Sequence, residues 1–340
     1  MDVGYGPVGV ERRRSGAQTR EITKCETLQI SAFDRNNIIS MVVFMKESDF
    51  RSPYLTLNNG ELFPAIGLGC AQLEDGGDID GHIKYALDKG YRLFDTATAY
   101  QNEDILGAAL RNSGYPRESY MLSSKVPNYM HGYDAAMRAF EETLKRTGMD
   151  YLDCYLIHFP RAIKGLFTET WKAMESLYEQ KLVRIIGLSN FEIPHIEMLL
   201  SGCSIPPMLN QLEFNPYLQI RELRNYCREK NIAVEAWFPL GGQLVGAKGP
   251  QMARASIPLL ENPEIGRVAS KHGKTIAQTI LRWEIQSDVV PIPKSTKTAR
   301  IGENFEVFDF SLDEEDMRAL NALEQDFHFG PKDYQLPIDN

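Results

Sequence analysis

The sequence predicts a single (β/α)8 TIM barrel with an N-terminal β-hairpin cap and extra helices outside the repeat, and three observations carry that prediction. From Tyr54 onward, eight short apolar runs alternate with amphipathic stretches of helical period. The runs are nearly continuous in apolar residues, as strands of a parallel sheet covered by helices are. Polar residues recur at their C-terminal ends, where barrel enzymes gather their chemistry. Eight strand–helix units close most economically into a ring; an open doubly wound sheet is the alternative.

The elements follow in order. Asn58-Asn59-Gly60, between Tyr54–Leu57 and Glu61–Pro64, reads as a hairpin turn that would cap the barrel's bottom. The strands read as Ile66–Gln72, Arg92–Ala97, Met121–Val126, Leu152–His158, Val183–Asn190, Met208–Phe214, Ala233–Pro239 and Val289–Ser295. Helical patterns run over Asp80–Lys89, Glu103–Asn112, Tyr133–Arg146, Phe167–Gln180, Ile193–Leu200, Ile220–Lys230, Ile276–Gln286 and Thr298–Phe305. Lys89-Gly90 and Thr147-Gly148 end two of them with glycine where a C-cap wants positive φ. Further helices at Glu264–Lys271 and Ser311–Leu323 fall outside the repeat.

Residues 1–50 lack any amphipathic period and read as a disordered extension, with Met41 and Met45 as alternative initiators. The barrel domain then occupies residues 51–340. The extension holds Gly4-Tyr5-Gly6-Pro7-Val8-Gly9, which formally satisfies a dinucleotide fingerprint. That motif works only between a strand and a helix. No strand precedes it and Pro7 interrupts it, so it is rejected.

Net charge and cysteines narrow the function. The 340 residues carry a net charge of −9, which argues against a nucleic-acid partner while leaving room for a local basic pocket. Five cysteines, with no C-x-x-C pair, read as reduced thiols in a cytoplasmic protein. The apolar run Ile38–Met45 is too short to span a bilayer, and no signal-peptide pattern accompanies it. No membrane partner is expected.

The candidate site comes from three neighbouring strand ends. Asp95 ends the second strand with Tyr100 five residues on, Lys125 ends the third, and His158 the fourth. Each has a plain structural reading: Asp95 as a helix cap, Lys125 as a rim lysine, His158 as a core histidine. Together they make an acid. A free tyrosine, with a pKa of about 10, is a poor proton donor near neutrality, and an adjacent ammonium corrects that. Asp95 would hold Lys125, and His158 would orient a substrate oxygen. One histidine and one aspartate fall short of a catalytic zinc set, so no metal is expected.

An acid aimed at an oxygen needs an electron source, and the later strands offer a bed for one. Ser189 and Asn190, Gln211 and Trp237 suit a carboxamide and a flat ring, and Lys294, Ser295 and Arg300 suit a phosphate. Arg300 and Glu303 also read plainly as a solvated helix pair.

Five ordered motifs now carry a resemblance. Gly90-Tyr91-Arg92-Leu93-Phe94-Asp95-Thr96-Ala97 through Asn102-Glu103, Leu156-Ile157-His158-Phe159-Pro160, Gly187-Leu188-Ser189-Asn190-Phe191, Asn210-Gln211-Leu212-Glu213, and Ile292-Pro293-Lys294-Ser295 with Arg300, Glu303 and Asn304 resemble the aldo-keto reductase family over about residues 54–332. The short connection after His158 resembles bacterial members related to 2,5-diketogluconate reductases. The resemblance implies a monomeric barrel that reduces small aldehydes and ketones with NADPH. Tyr100 would be the general acid, with Asp95, Lys125 and His158 its partners. Ser189, Asn190 and Gln211 would bind the carboxamide, Trp237 would stack on the nicotinamide, Lys294, Ser295 and Arg300 would contact the 2′-phosphate, and Glu303 and Asn304 would meet the adenine.

The chain departs from the family's pattern at Val126-Pro127-Asn128, at Phe159, at Phe238 and in a long loop from Gly241 to Pro258. These departures bear on pocket shape and cofactor exchange. Two other readings compete: a non-catalytic nicotinamide-binding barrel, which needs no tuned tyrosine, and a barrel enzyme of other chemistry, which leaves Trp237 and the amide set without a purpose.

Overall fold

The computed structural model describes Met1 and residues 53–73, 77–160, 166–242 and 258–330. Apart from Met1 these belong to one compact unit, Ser40–Asn340. The expected irregular segment, the glycine decoy within it and residues 243–257 of the long loop lie outside the described residues.

The hairpin forms where the Asn-Asn-Gly turn predicts it. Strands β1 (Tyr54–Thr56) and β2 (Leu62–Pro64) pair antiparallel. Gly60, at φ +86°, supplies the left-handed turn residue. Asn58 Nδ2 donates to Pro207 O (2.9 Å) and Asn59 Nδ2 to Arg184 O (3.1 Å), just before and within later barrel strands. Arg184 reaches back to Glu61 at 2.5 Å and also to the buried Asp153 at 3.0 Å. The hairpin is therefore tied to the N-terminal ends of barrel strands, as a bottom cap should be.

Eight parallel strands follow: β3 (Leu68–Gly69), β4 (Leu93–Asp95), β5 (Met121–Val126), β6 (Leu152–Ile157), β7 (Val183–Ser189), β8 (Leu209–Glu213), β9 (Ala233–Trp237) and β10 (Val289–Pro291). They lie side by side in chain order from β3 to β10. The ring closes where Gly67 N donates to Pro291 O (3.0 Å) and Gly69 N to Pro293 O (3.1 Å). A Cβ at Gly67 would press within 2.8 Å of Leu93 and 2.9 Å of Ile292, so only glycine lets the first strand approach there.

Helices α1 (Ile79–Lys89), α2 (Glu103–Asn112), α3 (Tyr133–Thr147), α4 (Leu166–Glu179), α5 (Ile193–Leu200) and α6 (Arg221–Glu229) cross between successive strands. Next come α7 (Pro263–His272), α8 (Ile276–Gln286), α9 (Thr298–Phe305) and α10 (Glu314–Asn321), of which α7 and α10 are the two helices outside the repeat. Gly90 and Gly148 end α1 and α3 in the left-handed region at φ +115° and +64°, as their sequence positions predict.

Several strands are shorter than their apolar runs. Ile66–Gln72, Arg92–Ala97 and Val289–Ser295 shrink to β3, β4 and β10, and His158 falls one residue past β6. The chain turns at the mouth instead of running on. Gln72, Gln101, Asn190 and Phe238, which follow β3, β4, β7 and β9, all adopt positive φ between 52° and 62°. Such residues cost roughly 1–3 kcal/mol each; these four follow strands at the mouth, while Lys181, Asn231 and Asp288, also at positive φ, precede β7, β9 and β10 at the other end.

Candidate active site

The barrel interior positions the site through register. In an eight-membered ring β4 and β8 lie opposite one another, and Gln211 Nε2 on β8 donates to Asp95 Oδ1 on β4 at 3.0 Å, across the core. Ser189, Gln211 and Glu235 are register partners on β7, β8 and β9 and form one row. Layers of this kind fill barrel interiors. Here the layer is polar.

Lys125 is fully buried and so is no rim lysine. Its Nζ donates to Asp95 Oδ1 and Oδ2 (2.8 and 2.7 Å) and to Thr96 O (2.8 Å). Asp95 also receives Ser123 Oγ at 3.1 Å; its carboxylate serves the lysine rather than a helix end. Burial pushes the Lys125 ammonium toward its neutral form. The Asp95 carboxylate, as a nearby charge and as a hydrogen-bond acceptor, more than offsets this, and the Lys125 pKa stands above the ordinary lysine value.

Tyr100 ends a 3-10 turn, Thr98–Tyr100, whose closing residue Gln101 is left-handed. Lys125 Nζ lies 5.2 Å from the Tyr100 ring centroid, and the Tyr100 and His158 rings meet edge to face at 5.9 Å. His158 stacks on Phe159 at 4.8 Å. Burial first, and the Lys125 charge second, hold the imidazole well below its usual pKa, so it is neutral at physiological pH. A half-buried phenol, a buried ammonium–carboxylate pair and a neutral imidazole thus share one mouth. This set can donate a proton to an oxygen and hydrogen-bond that oxygen from a second side.

A clamp that sequence reasoning left unread fixes the tyrosine turn. Thr96 Oγ1 donates to Asn102 Oδ1 (2.7 Å), and Asn102 Nδ2 donates to Cys70 O (2.7 Å). The buried Glu103 receives Ser124 Oγ (2.6 Å) and Arg146 Nε (2.7 Å), and Arg146 Nη2 donates to Thr98 Oγ1 (3.2 Å). The signal was the Asn102-Glu103 pair, two polar residues directly after the tyrosine turn.

The remaining expected residues fall in two groups. Asn190 donates through Nδ2 to His158 O and Ser189 Oγ (both 3.0 Å), and its Oδ1 accepts from Trp237 Nε1 at 2.9 Å. Ser189, Asn190, Gln211 and Trp237 therefore form one connected patch beside His158. A cavity of about 270 Å³ opens next to Trp237, with Asn190, Glu213, Arg221 and His328 among its walls.

The second group lies at the start of α9. Lys294 and Arg300 are exposed, and neither side chain makes a hydrogen bond or ion pair among the described residues. Ser295 Oγ accepts from Lys297 N at 3.0 Å, and the helix start has no side-chain cap. Read plainly as a solvated helix pair, Arg300 and Glu303 do not pair among the described residues; Glu303 accepts from Thr275 Oγ1 at 2.7 Å. Asn304 is buried. Two free cations at an uncapped helix N-terminus suit a phosphate.

Comparisons with known proteins agree with this architecture. Residues 65–325 match the aldo/keto reductase family model. The chain is 44% identical over 277 residues to a 9,11-endoperoxide prostaglandin H2 reductase of Trypanosoma cruzi, covering 81% of this chain and 93% of that one. It is 43% identical over 281 residues to the glyoxal reductase of Bacillus subtilis, covering 82% and 96%. Among solved structures, the Bombyx mori aldo-keto reductase in complex with NADP superposes with a TM-score of 0.73 at 33% identity, covering 82% of this chain and 95% of that one. The chain belongs to the aldo/keto reductase family.

Proposed function

We propose that the protein reduces small aldehydes and ketones to alcohols with NADPH, with Tyr100 as the proton donor. The observation that carries the reading is the fully buried Lys125, gripped by Asp95 and set beside the Tyr100 ring. A neutral His158 on the other side of Tyr100 supports a second hydrogen bond to the carbonyl oxygen. As Tyr100 gives up its proton, the Lys125 ammonium stabilises the phenolate left behind, and Asp95 keeps that ammonium in place.

The residues present fit the cofactor. The patch of Ser189, Asn190, Gln211 and Trp237 would hold the nicotinamide end, and Lys294, Ser295 and Arg300 the 2′-phosphate, with Glu303 and Asn304 near the adenine. Support comes from the exposed cations Lys294 and Arg300, which have no hydrogen-bond or ion-pair partner among the described residues. Bound there, NADPH supplies the hydride to the carbonyl carbon. Cys154, Cys203 and Cys227 are free thiols, which supports a cytoplasmic setting, and a monomer completes the reading.

Fluorescence titration with NADPH and NADH, followed by turnover of an aldehyde panel, tests the proposal. NADPH binding with turnover is expected. Binding without turnover of any carbonyl would favour a purely cofactor-binding barrel, and no binding would remove both.

A further inference from the structure

Glu235 is a carboxylate where a barrel strand would ordinarily carry an apolar residue. It is 1% exposed on β9, and Oε2 accepts from Gln211 Nε2 at 2.6 Å. The same nitrogen donates to Asp95 Oδ1 at 3.0 Å. One amide therefore spends both of its hydrogens on two acids, one on each side of it. Glu235 Oε1 is buried with no partner among the described residues.

We propose that Glu235 is a positioning residue for the reductase: as a neutral carboxylic acid it pins the Gln211 amide against Asp95 and leaves Lys125 facing a single anion. The proposal rests on the reductase reading of the tetrad.

Charge balance supports the neutral form. The charged or titratable groups facing Glu235 are Asp95 from β4, Lys125 from β5 and Cys154 from β6. Cys154 is buried, and its thiol is pushed well above its usual pKa, so it adds no charge. One ammonium thus stands against two carboxylates, and a second ionised acid in this dry layer would have no counter-ion. Burial first, and the neighbouring Asp95 second, push the Glu235 carboxyl up to about 8.

The consequence reaches Tyr100 through the ammonium. While Glu235 is neutral, Lys125 and Asp95 form a balanced pair, and the phenolate that develops on proton donation meets net positive potential from the nearby Nζ. When Glu235 ionises, a second anion offsets that potential and weakens Tyr100 as an acid. Gln211 is also drawn between two charged carboxylates, which disturbs the amide expected to meet the carboxamide.

Two readouts test this. The first needs no turnover: an infrared difference spectrum of wild type minus Glu235→Gln, recorded as pH is raised. A protonated-carboxyl band should be present at neutral pH and fade through an apparent pKa near that value of about 8. Its absence at neutral pH would overturn the proposal whether or not the protein is a reductase. The second is the pH profile of kcat with NADPH and an aldehyde. Wild type should lose kcat on the alkaline side, and Glu235→Gln should shift that limb upward by about one pH unit or more. Glu235→Leu, which removes the acceptor for Gln211, should lower kcat roughly ten-fold with most of the loss restored in Glu235→Gln. An unshifted alkaline limb in Glu235→Gln would overturn the proposal. If Glu235→Leu does not fold, the infrared band and the Glu235→Gln profile decide alone.

Discussion

At the scale of single residues, the site depends on one buried cation. Lys125 touches Asp95 twice and Thr96 once, and no other cation pairs with Asp95 among the described residues. Lys125→Met should therefore cost about 3–5 kcal/mol of stability, because it leaves a buried carboxylate unpaired; chemical denaturation measures this. A loss below about 1 kcal/mol would mean that Asp95 finds another partner. At the other end of the site the exposed cations Lys294 and Arg300 should act on the cofactor alone. Lys294→Ala or Arg300→Ala should raise the NADPH KM roughly ten-fold or more and leave the NADH KM nearly unchanged. Equal effects on both cofactors would remove the 2′-phosphate assignment. Asp95, Lys125 and His158 were legible in the sequence because each lies at or just past the end of an apolar run, and Tyr100 because it follows Asp95 by five residues. Glu235 was not legible in this sense. Among the described residues its side chain hydrogen-bonds only to Gln211, which carries it on to Asp95, 116 residues from Gln211 along the chain. No local pattern reports a contact across the barrel.

At the scale of elements, sequence period located nearly every strand and helix and misjudged their ends. Val183–Asn190 and Ala233–Pro239 read as strands through their last residues, yet Asn190 and Phe238 are left-handed at φ +62° and +52°. A glycine there would have announced the turn; these side chains conceal it. The same strain turns Asn190 toward Trp237 and His158, so the misread ends are site residues. Packing between helices was equally hidden. A Cβ on Gly107 of α2 would collide with the backbone carbonyl of Thr147 at the end of α3. Gly107→Val should destabilise the protein by about 1–3 kcal/mol and lower its Tm, because backbone cannot move aside as a side chain can. An unchanged Tm would show that α2 and α3 separate easily. Since α2 begins with the Asn102–Glu103 clamp, that variant should also lower kcat more than it raises substrate KM.

At the scale of the whole molecule, the barrel buries acids that a smaller fold would leave wet. Glu284 on α8 is fully buried, and neither oxygen has a partner among the described residues. Burial raises its pKa well above the ordinary value. The folded state therefore keeps a proton that the unfolded chain releases above about pH 4.5, so stability falls as pH rises from there toward the folded-state value. Glu284→Leu should be the more stable protein, with an advantage that grows as pH rises from the unfolded-state pKa toward the folded-state one. A constant difference in Tm across that range would mean the carboxyl is neutral in neither state or has found a counter-charge. Whole-molecule architecture also decides function, since three neighbouring strands and one turn must deliver four groups to a single mouth. The most direct test of that claim is a single-turnover reaction, mixing protein–NADPH with an aldehyde and following loss of the reduced nicotinamide, in wild type and Tyr100→Phe. The account predicts equal NADPH affinity and a hydride-transfer rate about 10²–10⁴-fold slower in Tyr100→Phe. A Tyr100→Phe protein that turns over at the wild-type rate would contradict it.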